Sequence, residues 1–257
     1  MSTDHALQHL ELEVNGPIMY MLPSNSGNEL TIEFIDGELP SFYLIDLQSR
    51  EIKKELKLDK SFEQVILKSF SSERIITQRF SDQNNPNSVE VHCFEWNNPS
   101  PTYSQINTQI LDVGSDWLQL PHPHFQGKKV IIDLKNNESI DKKPIETQSE
   151  YKTQFPVAYS NQSSYFEWFQ KLFKKHNKEI LRSCEFLKHS EKLIISYYTR
   201  EDETVCNYLS VFDTKGTLLD SFLLAKGLKG IGKDTFFVCH NQLIFVTGKQ
   251  TLNVIEL

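Results

Sequence analysis

The chain has 257 residues with a formal net charge of −7, 39% apolar residues, 17 Phe and 9 Tyr. That is apolar material enough for one large β domain or two ordinary ones. The negative balance argues against a general nucleic-acid binder, which needs a basic surface to release counterions.

No stretch is apolar enough to read as a transmembrane segment. The opening MSTDHALQHLELEV lacks the basic-then-apolar order of a secretory leader. Four cysteines, Cys93, Cys184, Cys206 and Cys239, are widely spaced and form no CxxC pair. The expectation is a cytoplasmic protein with reduced thiols, a leader removed beforehand being the exception.

In chain order, Leu7–Val14 is a strand candidate with no neighbour beside it in sequence. Pro17–Leu22, Glu29–Ile35, Phe42–Leu47 and Glu51–Leu58 follow, divided by the turn signals Ser24–Gly27 and Asp36-Gly37. A second set of four comprises Gln64–Phe70, Arg74–Phe80, Val89–Trp96 and Tyr103–Ile110, with a polar loop at Asp82–Asn87. The third set is poorer, with Asp116–Leu120, Lys129–Leu134 and Ser139–Ile145.

From there to about Glu179 the strand pattern fails, and a helix is predicted near 164–177. Ser164-Tyr-Phe-Glu167 has capping-box form. Tyr165, Phe166, Trp168, Phe169, Leu172 and Phe173 fall on one arc about 160° wide, with Asn177 as the end. Strands resume at Leu181–Leu187, Lys192–Thr199, Val205–Phe212 and Thr217–Leu224, then Thr235–Cys239, Gln242–Thr247 and Thr251–Leu257.

The last set has three strands, and the orphan at the N-terminus is the piece it lacks. Pairing first strand with last would close a ring and remove two open sheet edges. The reading is an all-β chain, a single domain over residues 1–257. Its fold is a closed β-propeller of five blades, or six if the long Asp133–Asp213 step holds a degraded blade rather than the helical insertion.

The strand–Asp–turn–strand pattern in YLSVFDTKGTLLDSFLL and FYLIDLQSREIKKELKL resembles WD40-like and quinoprotein-like propeller repeats. FPVAYSNQSSYFEWF followed by KLIISYYT is similar to an uncharacterised bacterial propeller family. The Trp-Asp dipeptide and Gly-His pair of true WD40 repeats are absent, so the resemblance implies the fold and brings no functional residues.

Several motifs invite chemistry. Gly227–Lys233 has the glycine and lysine spacing of a phosphate-binding loop. Asp234 stands where a magnesium-binding hydroxyl belongs, however, and strand-like residues follow where a helix must open. His122 and His124, spaced i and i+2 between prolines, would point the same way in an extended chain and are the metal-ligand candidates. Asp116, Asp133 or a distant histidine is the possible third ligand. His5 and His9 share helical spacing. Cys239-His240 and His92-Cys93 cannot act as nucleophile and base on a strand, where neighbours face opposite sides.

Tyr165, Trp168, Phe169 and Phe173 are candidates for partner binding. The competing expectation is that Trp168, Phe169, Leu172 and Phe173 pack onto the protein itself. No cofactor is read from the chain. The resulting expectation is a non-catalytic binding or scaffold module for an unidentified protein or small-molecule ligand. The alternative is a propeller hydrolase or lyase with its site in a central channel.

Overall fold

A computed structural model describes residues 9–82, 85, 88–145 and 153–257. His5, the start of the Leu7–Val14 run and most of the 82–87 loop lie outside the described residues. The chain divides into two compact units, residues 15–150 and residues 151–257 joined by residues 1–14. It is mostly β with one α-helix among the described residues. All five sheets found there are antiparallel, and four of them have four strands.

The N-terminal strand β1 (His9–Glu13) belongs to the second unit. The first unit opens with β2 (Ile18–Pro23), β3 (Glu29–Asp36), β4 (Leu39–Asp46) and β5 (Glu51–Lys57), paired in chain order. The hairpin between β3 and β4 is a two-residue turn whose first residue, Gly37, sits at φ 68°, a conformation open to glycine.

Next come β6 (Ile66–Phe70), β7 (Arg74–Phe80), β8 (Val89–Glu95) and β9 (Tyr103–Gln105), again in order. The third sheet is β10 (Asp112–Val113), β11 (Trp117–Pro121), β12 (Lys129–Asp133) and β13 (Glu138–Ile140). It therefore has the fourth strand that the sequence pattern omits, because two residues are too few to show alternation. The expected strand Tyr103–Ile110 stops at Gln105, and the chain turns at Asn107, where φ is 53°.

The middle sheet of this unit is buried on both faces. Ile75 and Phe94 join Phe42, Leu44 and Leu67 in one core, while Ile76 and Cys93 join Leu118, Leu120 and Leu134 in another. Successive strand residues point to opposite faces. A strand covered on both sides is therefore buried residue after residue, as the first five residues of RIITQRF are.

Polar groups caught in these layers are tied across them. Buried Arg74 donates to the Leu134 carbonyl and lies 3.3 Å from Asp116. The Trp96 indole N–H donates to Ser71 O at 2.9 Å. Buried Glu33 on β3 accepts the Leu67 N–H of β6 at 2.7 Å. Burial pushes the Glu33 carboxyl up to about 7, against the pull of that N–H and the Lys68 charge.

In the second unit, β14 (Val157–Ser160) precedes the helix α1 (Phe166–Lys174). Then come β15 (Ser183–His189), β16 (Lys192–Glu201), β17 (Thr204–Asp213) and β18 (Leu218–Leu228), which with β14 make a five-stranded sheet in chain order. The sequence pattern misses β14, four residues between Pro156 and a polar run. The helix is thus an insertion between the first two strands of this sheet.

The last sheet is β19 (Phe236–Cys239), β20 (Gln242–Thr247) and β21 (Thr251–Glu256), completed by β1. In β1, Leu10 stands opposite Val254 and Leu12 opposite Leu252. His9 Nε2 meets Asn253 Oδ1 at 3.0 Å, and Val14 N–H donates to Gln250 O at 3.0 Å.

The five-residue ladder and two half-buried leucines of β1 contribute about 2–4 kcal/mol. Removing residues 1–13 should lower the melting temperature by roughly 5–15 °C. An unchanged calorimetric melt would show that the strand adds nothing.

Glu33 makes a pH prediction. Its folded value lies above the ordinary 4.5, so the neutral carboxyl is favoured in the folded state. Stability is then greatest below pH 4.5 and falls as pH rises through about 7, by about 3 kcal/mol at most. Glu33→Gln keeps an acceptor for Leu67 and should flatten that slope in urea unfolding across the same range. A parallel slope in the variant would assign the pH dependence to other groups.

Candidate functional site

A concave site in the first unit includes the histidine pair. Beyond β11 the chain bends: His122 N–H donates to Lys128 O at 2.9 Å and Lys128 N–H to Phe125 O at 3.1 Å. The backbone N–H of His124 donates to His122 Nδ1 at 3.1 Å, so Nδ1 is an acceptor and the proton of a neutral ring sits on Nε2.

The parallel, extended placement expected of His122 and His124 is therefore corrected. Their ring centroids are 6.1 Å apart at 62°, and His122 packs on Phe125 at 4.7 Å. The possible third ligands are engaged elsewhere. Asp116 accepts from Ser71 Oγ at 3.2 Å and pairs with Arg74, and Asp133 accepts the Lys135 N–H at 2.9 Å. Among the described residues no three metal-ligating side chains converge.

What the bend builds instead is a cleft of about 770 Å³. Its floor is apolar, formed by Val89, Leu120, Val130 and Ile132, with the Tyr103 ring beside them. Burial raises the Tyr103 phenol above its usual value, so its hydroxyl stays a neutral donor. The rim carries Gln105, Asn107, Gln109, His122 and His124. No aspartate, glutamate, lysine or arginine lines the cleft among the described residues.

The other motifs resolve into structure. In the glycine-rich stretch, Gly232 N–H donates to the Tyr198 hydroxyl at 2.8 Å. Immediately after it, buried Glu185 accepts from Asp234 N–H at 2.6 Å and from the Thr235 N–H and hydroxyl at 3.0 and 2.6 Å. A carboxylate thus holds the backbone donors that a phosphate would need.

Burial pushes the Cys93 and Cys184 thiols up to about 11 and 12 and raises Cys239, which keeps all three protonated at neutral pH. His92 bonds Ser104 and Glu90, not its neighbour Cys93. A second cavity of about 640 Å³ is lined by Ser69 of β6, whose hydroxyl donates to Gly114 O at 2.8 Å, and by Ser24 and Ser26, whose hydroxyls meet at 3.0 Å.

No protein-family model and no curated relative matches the chain. Solved structures overlap it loosely. An uncharacterized protein of Listeria monocytogenes EGD-e is 9% identical, with a TM-score of 0.34, over 95% of this chain and 96% of that one. BamB of Moraxella catarrhalis is 7% identical at a TM-score of 0.23, over 95% and 85%. TolB of Acinetobacter baumannii is 10% identical at 0.28, over 94% of this chain and 55% of its own. Overlaps this loose define neither a blade number nor an activity.

The helix candidates divide. Phe166, Phe169, Leu172 and Phe173 are buried with Ile195, Tyr197 and Phe212 of the adjoining sheet. Phe173 lies 4.0 Å from the Tyr197 ring, centroid to centroid. Trp168, expected in the core, is 46% exposed, and Tyr165 is 67% exposed. Of the four partner-binding candidates, two are therefore core residues and two face outward.

The capping box is corrected as well. Tyr165 is the N-cap and has no side-chain cap bond, while Ser163, not Ser164, takes the Tyr165 N–H on its hydroxyl at 3.3 Å. The C-terminus is closed as a Schellman motif. Asn177 sits at φ 56°, and the N–H groups of Lys178 and Asn177 bond Phe173 O and Lys174 O. No helix among the described residues is long and apolar enough to cross a membrane.

Two substitutions separate these faces. Phe173→Ala should cost about 3–5 kcal/mol in urea unfolding, and Trp168→Ala within about 1 kcal/mol. Equal losses would mean that Trp168 is as much a core residue as Phe173.

Proposed function

We propose that the five sheets are the blades of one closed β-propeller acting as a non-catalytic binding module. Its ligand, on this reading, is a small uncharged molecule with an apolar body. The pairing of β1 with β21 supports closure, since it joins the two ends of the chain in one sheet. Four sheets of four strands and one of five support five repeats, with α1 as an insertion. The four unbridged cysteines fit a reducing, cytoplasmic setting.

One observation carries the ligand reading: the lining of the cleft beside β9 and β11. An apolar floor sets a hydrophobic body, and a few neutral donors and acceptors at the rim set its orientation, as small-molecule sites usually do. With no aspartate, glutamate, lysine or arginine in the lining among the described residues, a formal charge on the ligand would find little compensation for its lost hydration.

Indole and indole-3-acetate test this, as neutral and anionic probes of similar shape. Indole should perturb the amide signals of residues 103–109 and 120–132 and raise the melting temperature, with the anion at least about tenfold weaker. Val130→Phe, which fills the cleft, should abolish the effect while leaving the fold intact. Equal affinity for the two probes, or binding that survives Val130→Phe, would overturn the reading.

A further inference from the structure

We propose that the outward face of α1, with the sheet edge beside it, docks this protein onto an anionic lipid surface. Of the three tryptophans, Trp96 and Trp117 are buried while Trp168 is 46% exposed. Tyr165, one helical turn earlier, is 67% exposed. Trp168 is not loose. Its ring stands edge-on to Phe169 at 5.0 Å and to Phe186 at 6.1 Å, so the indole is held outward in one orientation. Val157, paired with Phe186 across β14 and β15 and 57% exposed, extends the apolar strip.

The next turn of the helix is basic. Lys171, Lys174 and Lys175 are exposed, and among the described residues none of them makes an ion pair or a side-chain hydrogen bond. Lys188, exposed, lies two residues beyond Phe186 and on the same face of its strand. Glu167, four residues before Lys171 and about 40° from it around the helix, stands among these lysines and offsets one of their three charges.

A chain of net charge −7 therefore carries here an aromatic stripe bordered by three exposed lysines and one glutamate. Charge complementarity names an anionic occupant. The stripe is convex, standing on a helix rather than in a groove, and pairs amphipathic rings with flexible ammonium groups. That order matches a bilayer surface, where indole and phenol settle at headgroup depth and lysines reach the phosphates. The surrounding negative charge would repel the same surface and so fix the orientation of docking.

The experiment uses the full chain and vesicle flotation. The protein should float with phosphatidylcholine vesicles containing about a quarter phosphatidylserine and stay down with pure phosphatidylcholine, since each lysine adds on the order of fivefold at an anionic surface. Binding should weaken with salt. Tryptophan emission should shift to the blue and be quenched by brominated acyl chains, a signal that only Trp168 can give without unfolding.

Trp168→Ala should cut the bound fraction severalfold and remove the quenching. The double variant Lys171→Glu, Lys175→Glu should abolish flotation. Both should keep the wild-type melting temperature, because the altered side chains are exposed. Failure to float with the anionic vesicles, or flotation unchanged in these variants, would overturn the proposal. So would binding of polyglutamate through the same residues without vesicle binding, which would assign the stripe to an acidic polypeptide.

Discussion

A four-stranded sheet has two faces, and in a stack of such sheets each face must find cover. The sheet β6–β9 meets this constraint with neighbouring residues of one strand. Ile75 enters one core and Ile76 the next, and Phe94 and Cys93 divide in the same way. Burial on both sides makes an unpaired polar group costly, and although the Thr31 and Thr77 hydroxyls have no partner there, several buried side chains bond from sheet to sheet. Glu33 reaches from β3 to the Leu67 N–H, Arg74 reaches from β7 to the Leu134 carbonyl, and Glu185 reaches from β15 to the start of β19. These bonds set the order of the sheets as much as the apolar contacts do.

The repeat visible in the sequence has a local cause. Asp46, Asp133 and Asp213 end the last strand but one of their sheets, and each turns its carboxylate onto backbone N–H groups of the following turn. Asp46 takes Gln48 and Ser49 at 2.8 Å, Asp133 takes Lys135 at 2.9 Å, and Asp213 takes Lys215 and Thr217 at 2.9 and 2.8 Å. A strand ending in Asp before a turn is therefore legible from sequence, because the bond joins residues two to four apart. The terminal strand was legible for a different reason, since an orphan at one end matched a vacancy at the other.

What escaped the sequence depended on distance or on very short elements. β10 has two residues and β14 four, below the length at which alternation can be read. The bond from Glu185 to Asp234 spans 49 residues, and no spacing rule announces it. The cleft beside His122 is likewise assembled from two sheets, and the turn at Asn107 that shapes its rim cannot be told from an ordinary strand end. On α1 the helical arc placed Trp168 among the core residues because periodicity registers only angle. Which angles are covered is decided by the width of the sheet beneath, and Phe186 reaches only far enough to support the edge of that indole.

The acidic balance of the chain can now be traced to particular residues. Aspartates serve as turn caps at Asp46, Asp59, Asp133 and Asp213, and buried glutamates serve as ties between sheets at Glu33 and Glu185. Others neutralise lysines along the strands, as Asp36 does Lys57 and Asp112 does Lys143. A carboxylate is well suited to such posts because it accepts several N–H bonds at once, and charge-assisted bonds are stronger than neutral ones. Part of the net charge of −7 thus reflects how the turns and layers are held. The lysines of α1 gain significance from this accounting. Three neighbouring lysines that make no ion pair among the described residues stand there beside an exposed tryptophan, and their chemistry points outward.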